Sequence, residues 1–530
     1  MMKRKLYHNG RIYTQVEGVI ADSMAVSGST IIAIGHHLEK DPDFSKYPKI
    51  NLKMHAVLPG FVDSHTHLYY LIISAGNVKL DGIITIEETL AKIKAHSSKL
   101  AKNAWIVGEG FSPDRWKRYV LPDKFMLDKV TGGKPAAIFS KDQHMMWVNS
   151  RALELAGITR DTREPEGGSI GRMPSNEPSG ILKEIPGYFP VVKLISKAGA
   201  SAISKLYRST LKDIYKKGVT GVHSFDGPDA LEFFMEMSQK SKMGLRVNYY
   251  PPVKMLPELK ARHISFGYGN EYLKISGVKI FADGSLGSQS AYCFEKYAGS
   301  KANYGIEANT KSGIFKSIVE ASRLNLPCAI HAIGDRAISN LLDCFAKSPN
   351  LPAGARHRIE HLQMIRRKDV PRLKRLEVTA SMQPSHCPSD VKMIEKYWGK
   401  RGKNCFIFKT LLKHNIPLAF GSDAPIEPLD PIAGIEAAVN RVVPGTKRRF
   451  YPQERIGVAE AVFGFTAGAA YAVGQEHEQG YLLPGYKADF IILSEDIYKI
   501  PASRIKKVRV LATIFDGIPV FKDKHCFRIV

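Results

Sequence analysis

The chain has 530 residues, 44% hydrophobic and 24% charged, the balance of a globular protein with enough apolar surface for two or three compact units. Its formal net charge of +25 is dispersed along the chain, with small clusters such as "RRKDVPRLKRLE" and "SRIKKVRV", so the basic residues read as solvated faces and neither nucleic acid nor membrane is expected as a partner. Cys293, Cys328, Cys344, Cys387, Cys405 and Cys526 form no Cys-x-x-Cys pair, and there is no signal-like or 18-residue apolar run; reduced thiols, no cysteine-based zinc site and a cytoplasmic location are expected.

Residues 1–57 hold short alternating runs separated by glycine turns ("RKLYHNGRIYT", "SMAVSGSTIIAIG") that read as β-hairpins. "YKADFIIL" and "KVRVLATIFDGIPVF" near the other end share that character. Neither piece has a sufficient core alone, so 1–57 and 475–530 are predicted to pair as one small β-domain. Between them, apolar β-branched runs fall at 57–62, 219–223, 245–250, 273–281, 327–331, 356–360, 377–381 and 416–421. Helical patterns such as "SAISKLYRSTLKDIYKKG" and "GIFKSIVEASRLN" alternate with the later ones. Eight strands alternating with helices predict an α/β fold of the TIM (β/α)8 type over 58–474. The gap after the first strand is too long for one βα unit, so 70–200 is predicted to be an α+β insertion.

In such a fold the chemistry sits at the C-terminal ends of the strands. "GFVDSHTHL" places His65 and His67 after the first strand, and the fourth carries Lys279 with Asp283 just beyond. "CAIHAIGDRA" ends the fifth at His331, "RIEHLQ" supplies His361 after the sixth, and "FGSDAPIEP" supplies Asp423 after the eighth. His-x-His on extended backbone turns both imidazoles to one side. With further imidazoles and a carboxylate from other strands, the set suits a borderline divalent cation such as zinc. Lys279 lies in an apolar strand. As an ammonium it would repel cations, and positive neighbours lower a lysine pKa. A neutral amine can take up carbon dioxide, giving an anionic carbamate able to bridge two metals. The alternative is an ion pair with Asp283, four residues on. Spacing leaves both open.

"LPGFVDSHTHL", "VKIFADGSLGSQSA", "AIHAIGDRAI", "RIEHLQ", "FGSDAPIEPLDP" and "YLLPGYKADFIILSEDI" together resemble the amidohydrolase superfamily. More narrowly the chain is similar to amidohydrolase family 3, the YtcJ-like branch that includes N-substituted formamide deformylases; "WIVGEGFSPDRW" and "HMMWVNSRALELAGI" resemble segments of that branch. The resemblance implies a distorted TIM barrel flanked by a small β-sandwich built from both termini. It also implies one or two Zn2+ ions, with Mn2+ or Fe2+ as alternatives: His65, His67 and Asp423 toward one, His331 and His361 toward the other, and a carbamylated Lys279 between them. The implied activity is hydrolysis of a non-peptide C–N bond, in an amide or an N-formyl or N-acyl amine, by a metal-activated hydroxide with Asp423 as catalytic proton acceptor. His144, His223 and Asp283 are the candidates to face the substrate. Many relatives carry a His-Asp type pair after strand two, whereas here the segment reads "GVHSFDG", offering His223 and Asp226. The loops "SMQPSHCPSD" and "EPLDPIAGIEAAVNRVVP" are expected to shape the pocket. A small-molecule substrate is expected, and a homodimer is left open. The alternatives are a deaminase or cyclic-amide hydrolase on the same centre, or an inactive regulatory or binding protein on this scaffold.

Overall fold

The computed structural model describes residues 4–141, 144–165, 167–195 and 200–523; Cys526 lies outside them. The chain divides into two units, Met1–Tyr70 with Leu211–Val530, and Leu71–Thr210.

At the centre of the first unit are parallel strands β1 (Phe61–Thr66), β2 (Val219–Ser224), β3 (Arg246–Tyr249) and β4 (Leu273–Ile275), hydrogen-bonded in that order. A second parallel set follows: β5 (Val278–Phe281), β6 (Cys328–Ala332), β7 (Arg358–His361), β8 (Thr379–Met382) and β9 (Leu418–Phe420). Parallel bridges Pro252↔Lys279 and Thr66↔Ala424 join the two sets at their margins. Helices such as Lys311–Arg323 and Asp335–Phe345 separate successive strands, and their buried residues (Ile314, Ile318, Ile338, Leu342) recur at helical spacing. The fold is TIM-like α/β.

Two boundaries differ from the sequence reading, each at a glycine. The run at 57–62 is two strands, because Ala56–Pro59 joins a terminal sheet and β1 starts only at Phe61. A side chain at Gly60, between them, would collide with Thr220. His65 therefore lies inside β1, not beyond it. The run at 273–281 is likewise split into β4 and β5 around Gly277, which has φ 150°. Any Cβ there would strike the Pro327 carbonyl and the Tyr250 ring.

The chain ends share a six-stranded sheet in the order Ile518–Lys522, Val510–Phe515, Phe490–Leu493, Ala56–Pro59, Arg11–Tyr13 and Ile20–Ala21. A four-stranded sheet runs Thr30–Gly35, Ser23–Ser27, Arg4–His8, Lys49–Asn51. Tyr7, Met24, Ile31, Val57, Phe490 and Ile514 form one buried cluster drawn from both ends of the chain.

The second unit is a six-stranded mixed sheet whose core includes Ile138 and Trp147. Helices Ile86–Ser97 and Lys124–Thr131 add Ile93 and Leu127 to that core, and start at Thr85 and Asp123, whose side chains accept the N–H groups of Glu88 and Met126. Among the described residues no helix is long and apolar enough to cross a membrane, and the five described cysteines are buried and unbridged.

Candidate metal centre and its cavity

The strand ends bring together the six residues that sequence spacing singles out. His65 belongs to β1 with His67 just past its end, Lys279 to β5, His331 to β6 and His361 to β7, while Asp423 follows β9. All six line a cavity of ≈ 420 Å3. One ligand atom each from His65, His361 and Asp423 lie within 4.8 Å of one another. Asp423 Oδ1 is 3.5 Å from His65 Nε2 and 3.2 Å from His67 Nε2. The His331 ring stands edge-on to His361, centroids 4.5 Å apart.

Two of these residues are held in backbone conformations that non-glycine residues avoid. His361 has φ 70° and Asp423 φ 63°, each costing roughly 1–3 kcal/mol. The chain turns back as soon as it has delivered the side chain. The Asp423 N–H, donating to the His65 carbonyl at 2.7 Å, helps to hold that turn.

The electrostatics begin with Glu360, which sequence reasoning passed over. Its Oε2 lies 2.5 Å from His65 Nδ1. Arg358 Nε donates to Oε1 at 2.5 Å and Ser381 Oγ to Oε2 at 2.6 Å. Burial opposes ionisation of Glu360, but Arg358 and His65 outweigh it and hold the carboxyl well below the usual range. An ionised acceptor requires His65 Nδ1 to be the donor. The lone pair is then on Nε2, which is buried and has no hydrogen-bond partner.

Three of the imidazoles, those of His65, His331 and His361, are kept neutral. Burial, then Lys279, lowers His65 to about 4 and His331 to about 3. Burial and the neighbouring His331 and His65 push His361 well below its ordinary value. His67 goes the other way: burial opposes its protonation, but Asp423 outweighs that and raises it. Burial also disfavours the Asp423 carboxylate, yet the hydrogen bond from His67 and the surrounding histidines hold it well below the usual range. Neutral imidazoles, an ionised carboxylate and an orphaned buried Nε2 form a donor set that fits a divalent cation.

Lys279 is 3% exposed and sits over the Phe225 and Phe281 rings, 4.5 and 5.1 Å from their centroids. Burial lowers it to about 8, with Glu360 and Asp423 opposing. Among the described residues no carboxylate lies within ion-pair distance of its Nζ, so the pairing with Asp283 does not form. The physical reason is that β5 ends at Phe281, and the same-face spacing of a strand stops there. Asp283 is instead buried, accepting the N–H groups of Tyr292, Ile333 and Gly334 at 2.9, 3.1 and 2.8 Å. It clamps the loop beside His331 and stands outside the cavity lining.

The other two substrate candidates also lie elsewhere. His223 is wholly buried outside the lining, its Nδ1 accepting from Arg358 Nη1 at 2.8 Å, and burial and that guanidinium keep it neutral. Asp226 beside it accepts the N–H groups of Tyr69 and Tyr70. His144 belongs to the second unit, where its Nδ1 is 3.0 Å from Glu184 in a half-exposed pair. The cavity also takes Gln363, His386, Asp390 and Glu427, which were not singled out. His386 Nε2 is 4.0 Å from Asp423 Oδ2 and is buried without a hydrogen-bond partner. Its signal was positional, since it opens the short helix His386–Ser389 just after β8.

A larger cavity of ≈ 790 Å3 lies in the same unit. It is lined by the hairpin tip around Val16 and Val19, by Phe463, and by Tyr13, Tyr481 and Tyr498.

Residues 49–521 match the model described as the amidohydrolase family. The chain is 32% identical to Protein LONG AFTER FAR-RED 3 of Arabidopsis thaliana, over 97% of this chain and 90% of that one. It is 29% identical to the amidohydrolase YtcJ of Bacillus subtilis, over 98% and 99% of the two chains. It is 24% identical to an N-substituted formamide deformylase of Arthrobacter pascens, over 94% of each. A solved structure of an uncharacterised metal-dependent hydrolase from Pyrococcus furiosus superposes with a TM-score of 0.80 at 29% identity, covering 94% of this chain and all of that one. On the match over residues 49–521, the chain belongs to the amidohydrolase family.

Proposed function

We propose that this protein hydrolyses the C–N bond of a small N-formyl or N-acyl amine at a divalent-metal centre, most simply zinc, in a distorted barrel of eight strands flanked by a sandwich of both termini. The observation that carries the reading is the buried, unpartnered Nε2 of His65, 3.5 Å from Asp423 Oδ1, in a group in which one ligand atom each of His65, His361 and Asp423 lie within 4.8 Å of one another. The formamide deformylase relative supports the bond type.

His65, His67 and Asp423 would hold one cation, and His331 and His361 a second, with a carbamate on Lys279 between them. When bound, such a cation supplies Lewis acidity and makes water a nucleophile near neutral pH. The remaining roles belong to side chains. Asp423 uses Oδ1 toward His65 and His67, which leaves Oδ2 to take the proton of the attacking water and return it to the leaving amine. His386 Nε2, facing the same carboxylate, donates to the carbonyl oxygen as charge develops on it. Burial around Lys279 favours the neutral amine that carbamate formation requires. The same reading has a small molecule as substrate, no nucleic acid, a cytoplasmic location and room for a homodimer.

The test is Asp423→Asn in zinc-loaded protein, assayed on a panel of N-formyl and N-acyl amines. Turnover is expected to fall by about 10²–10⁴-fold with the fold retained by circular dichroism. Wild-type-like turnover in the variant would overturn the assignment. Wild-type protein that stays metal-free after zinc or manganese supplementation would favour a binding protein on this scaffold.

A further inference from the structure

We infer that the amine half of the substrate carries a second, positively charged group received by Glu427 and Asp390, which makes the substrate class mono-N-acylated diamines. This rests on the hydrolase reading above and names its substrate.

The charge around the cavity is the reverse of the chain's. The protein carries 76 Lys and Arg against 51 Asp and Glu, yet among the described residues the cavity is lined by Asp390, Asp423 and Glu427 against Lys279 and a His67 that Asp423 itself draws toward protonation. Asp423 is engaged by histidines. Glu427 has no hydrogen-bond or ion-pair partner among the described residues, and Asp390 accepts a hydrogen bond from Gln363 Nε2 at 2.9 Å. Burial raises the Asp390 pKa against the opposing effects of His386 and the hydrogen bond from Gln363, and the Glu427 carboxylate adds a smaller raising effect. Two carboxylates lining one partly desolvated cavity favour a cation placed within reach of both. A carboxylate-bearing N-acyl amino acid would meet repulsion instead, since no arginine lines the cavity among the described residues.

Placement fixes where that cation sits. Asp390 lies one helical turn beyond His386, its N–H donating to the His386 carbonyl at 2.9 Å. His386 in turn faces Asp423. Both carboxylates line the same cavity of ≈ 420 Å3 as Asp423, within which a short alkyl chain can link them to the reacting centre. Phe281, Leu286, Met393 and Ile426 supply the apolar wall that such a chain would cover, with Phe281 and Ile426 still exposed.

The experiment compares N-formyl-1,4-diaminobutane with N-pentylformamide, in which a methyl replaces the ammonium, on the zinc-loaded full chain. The cationic member is expected to be preferred by about tenfold or more in kcat/KM. Glu427→Gln and Asp390→Asn should each bring that ratio toward one, through KM. Calorimetric titration of the same pair reads the preference where turnover is too slow to follow. A ratio at or below one, or a preference that survives both substitutions, overturns the inference. Preferential binding of the cationic member with neither hydrolysed supports it, and sinks the hydrolase reading alone.

Discussion

The groove of ≈ 790 Å3 beside the N-terminal hairpin and the cavity of ≈ 420 Å3 at the strand ends differ in what their polar atoms are doing. In the groove several of the lining polar groups are paired within the protein. Glu460 accepts the Gly457 N–H and pairs with Lys409, Glu476 pairs with Arg356, and Tyr13 donates to Asp496 at 2.8 Å. In the smaller cavity His65 Nε2 and His386 Nε2 are buried without partners, and no carboxylate among the described residues lies within ion-pair distance of Lys279. Positive-φ backbone occurs in both, at His361 and Asp423 in the cavity and at Gln15 and Asn415 in the groove, and so does not separate them. Volume alone measures how imperfectly two elements meet. Unmet bonding capacity gathered in one place costs stability and persists only where the surroundings enforce it.

The sharpest way to break that contrast is to disturb the support behind His65. Glu360→Gln keeps the shape but leaves the fully buried Arg358 guanidinium without its anion. It also removes the charge that fixes the His65 tautomer. Unfolding stability is expected to fall by about 3–5 kcal/mol in urea titrations, because an uncompensated buried charge remains. Zinc affinity, read by chelator competition, should drop by about 10–100-fold. Unchanged zinc affinity would mean that the orphaned Nε2 is not poised by this network.

A smaller effect should come from Lys279, whose native pKa of about 8 lies below the 10.5 of an ordinary lysine. In metal-free, bicarbonate-free protein the ammonium is buried unpaired at pH 7, and Lys279→Met should stabilise the fold by roughly 3 kcal/mol. Between pH 8 and 10.5 the native lysine has lost its proton while the unfolded one retains it. The unfolded state then binds more protons, so wild-type stability rises with pH relative to the variant, and below pH 8 the difference is flat. Melting curves of both proteins across that range check the slope. A difference that is constant throughout would show that the lysine has found an anion.

The strand ends were legible in the sequence because their residues are chemically distinctive and recur with the fold's own period. His65, His67, His331, His361 and Asp423 could be placed before any coordinates, and they converge. Glu360 was not, although it directly precedes His361 and shares a strand face with Arg358. A carboxylate and a guanidinium two residues apart look like surface charge until tertiary packing shows both at 0% exposure. The Lys279–Asp283 alternative failed for a related reason: face periodicity holds only while the strand lasts, and β5 stops at Phe281. Glu427 sits in a loop and His386 opens the one-turn helix His386–Ser389, where no strand period links position to direction. The split at Gly60 was hidden because an apolar run reads alike whether it feeds one sheet or two.

The smallest expected effect completes the contrast between the cavities. Phe463 is 39% exposed in the groove, packed edge-on against Tyr481 at 6.5 Å. Phe463→Ala should cost about 1 kcal/mol of stability, the loss of a half-buried ring at a surface. If the groove is only an imperfect seam, kcat/KM on the preferred amide stays within about twofold of wild type, since an aromatic ring with no role at the reacting atoms contributes nothing to the barrier. Zinc stoichiometry should be unchanged by elemental analysis. A loss of turnover at constant zinc content would show that the groove is energetically coupled to the strand ends. Satisfied hydrogen bonds would then be no guide to which of two cavities matters.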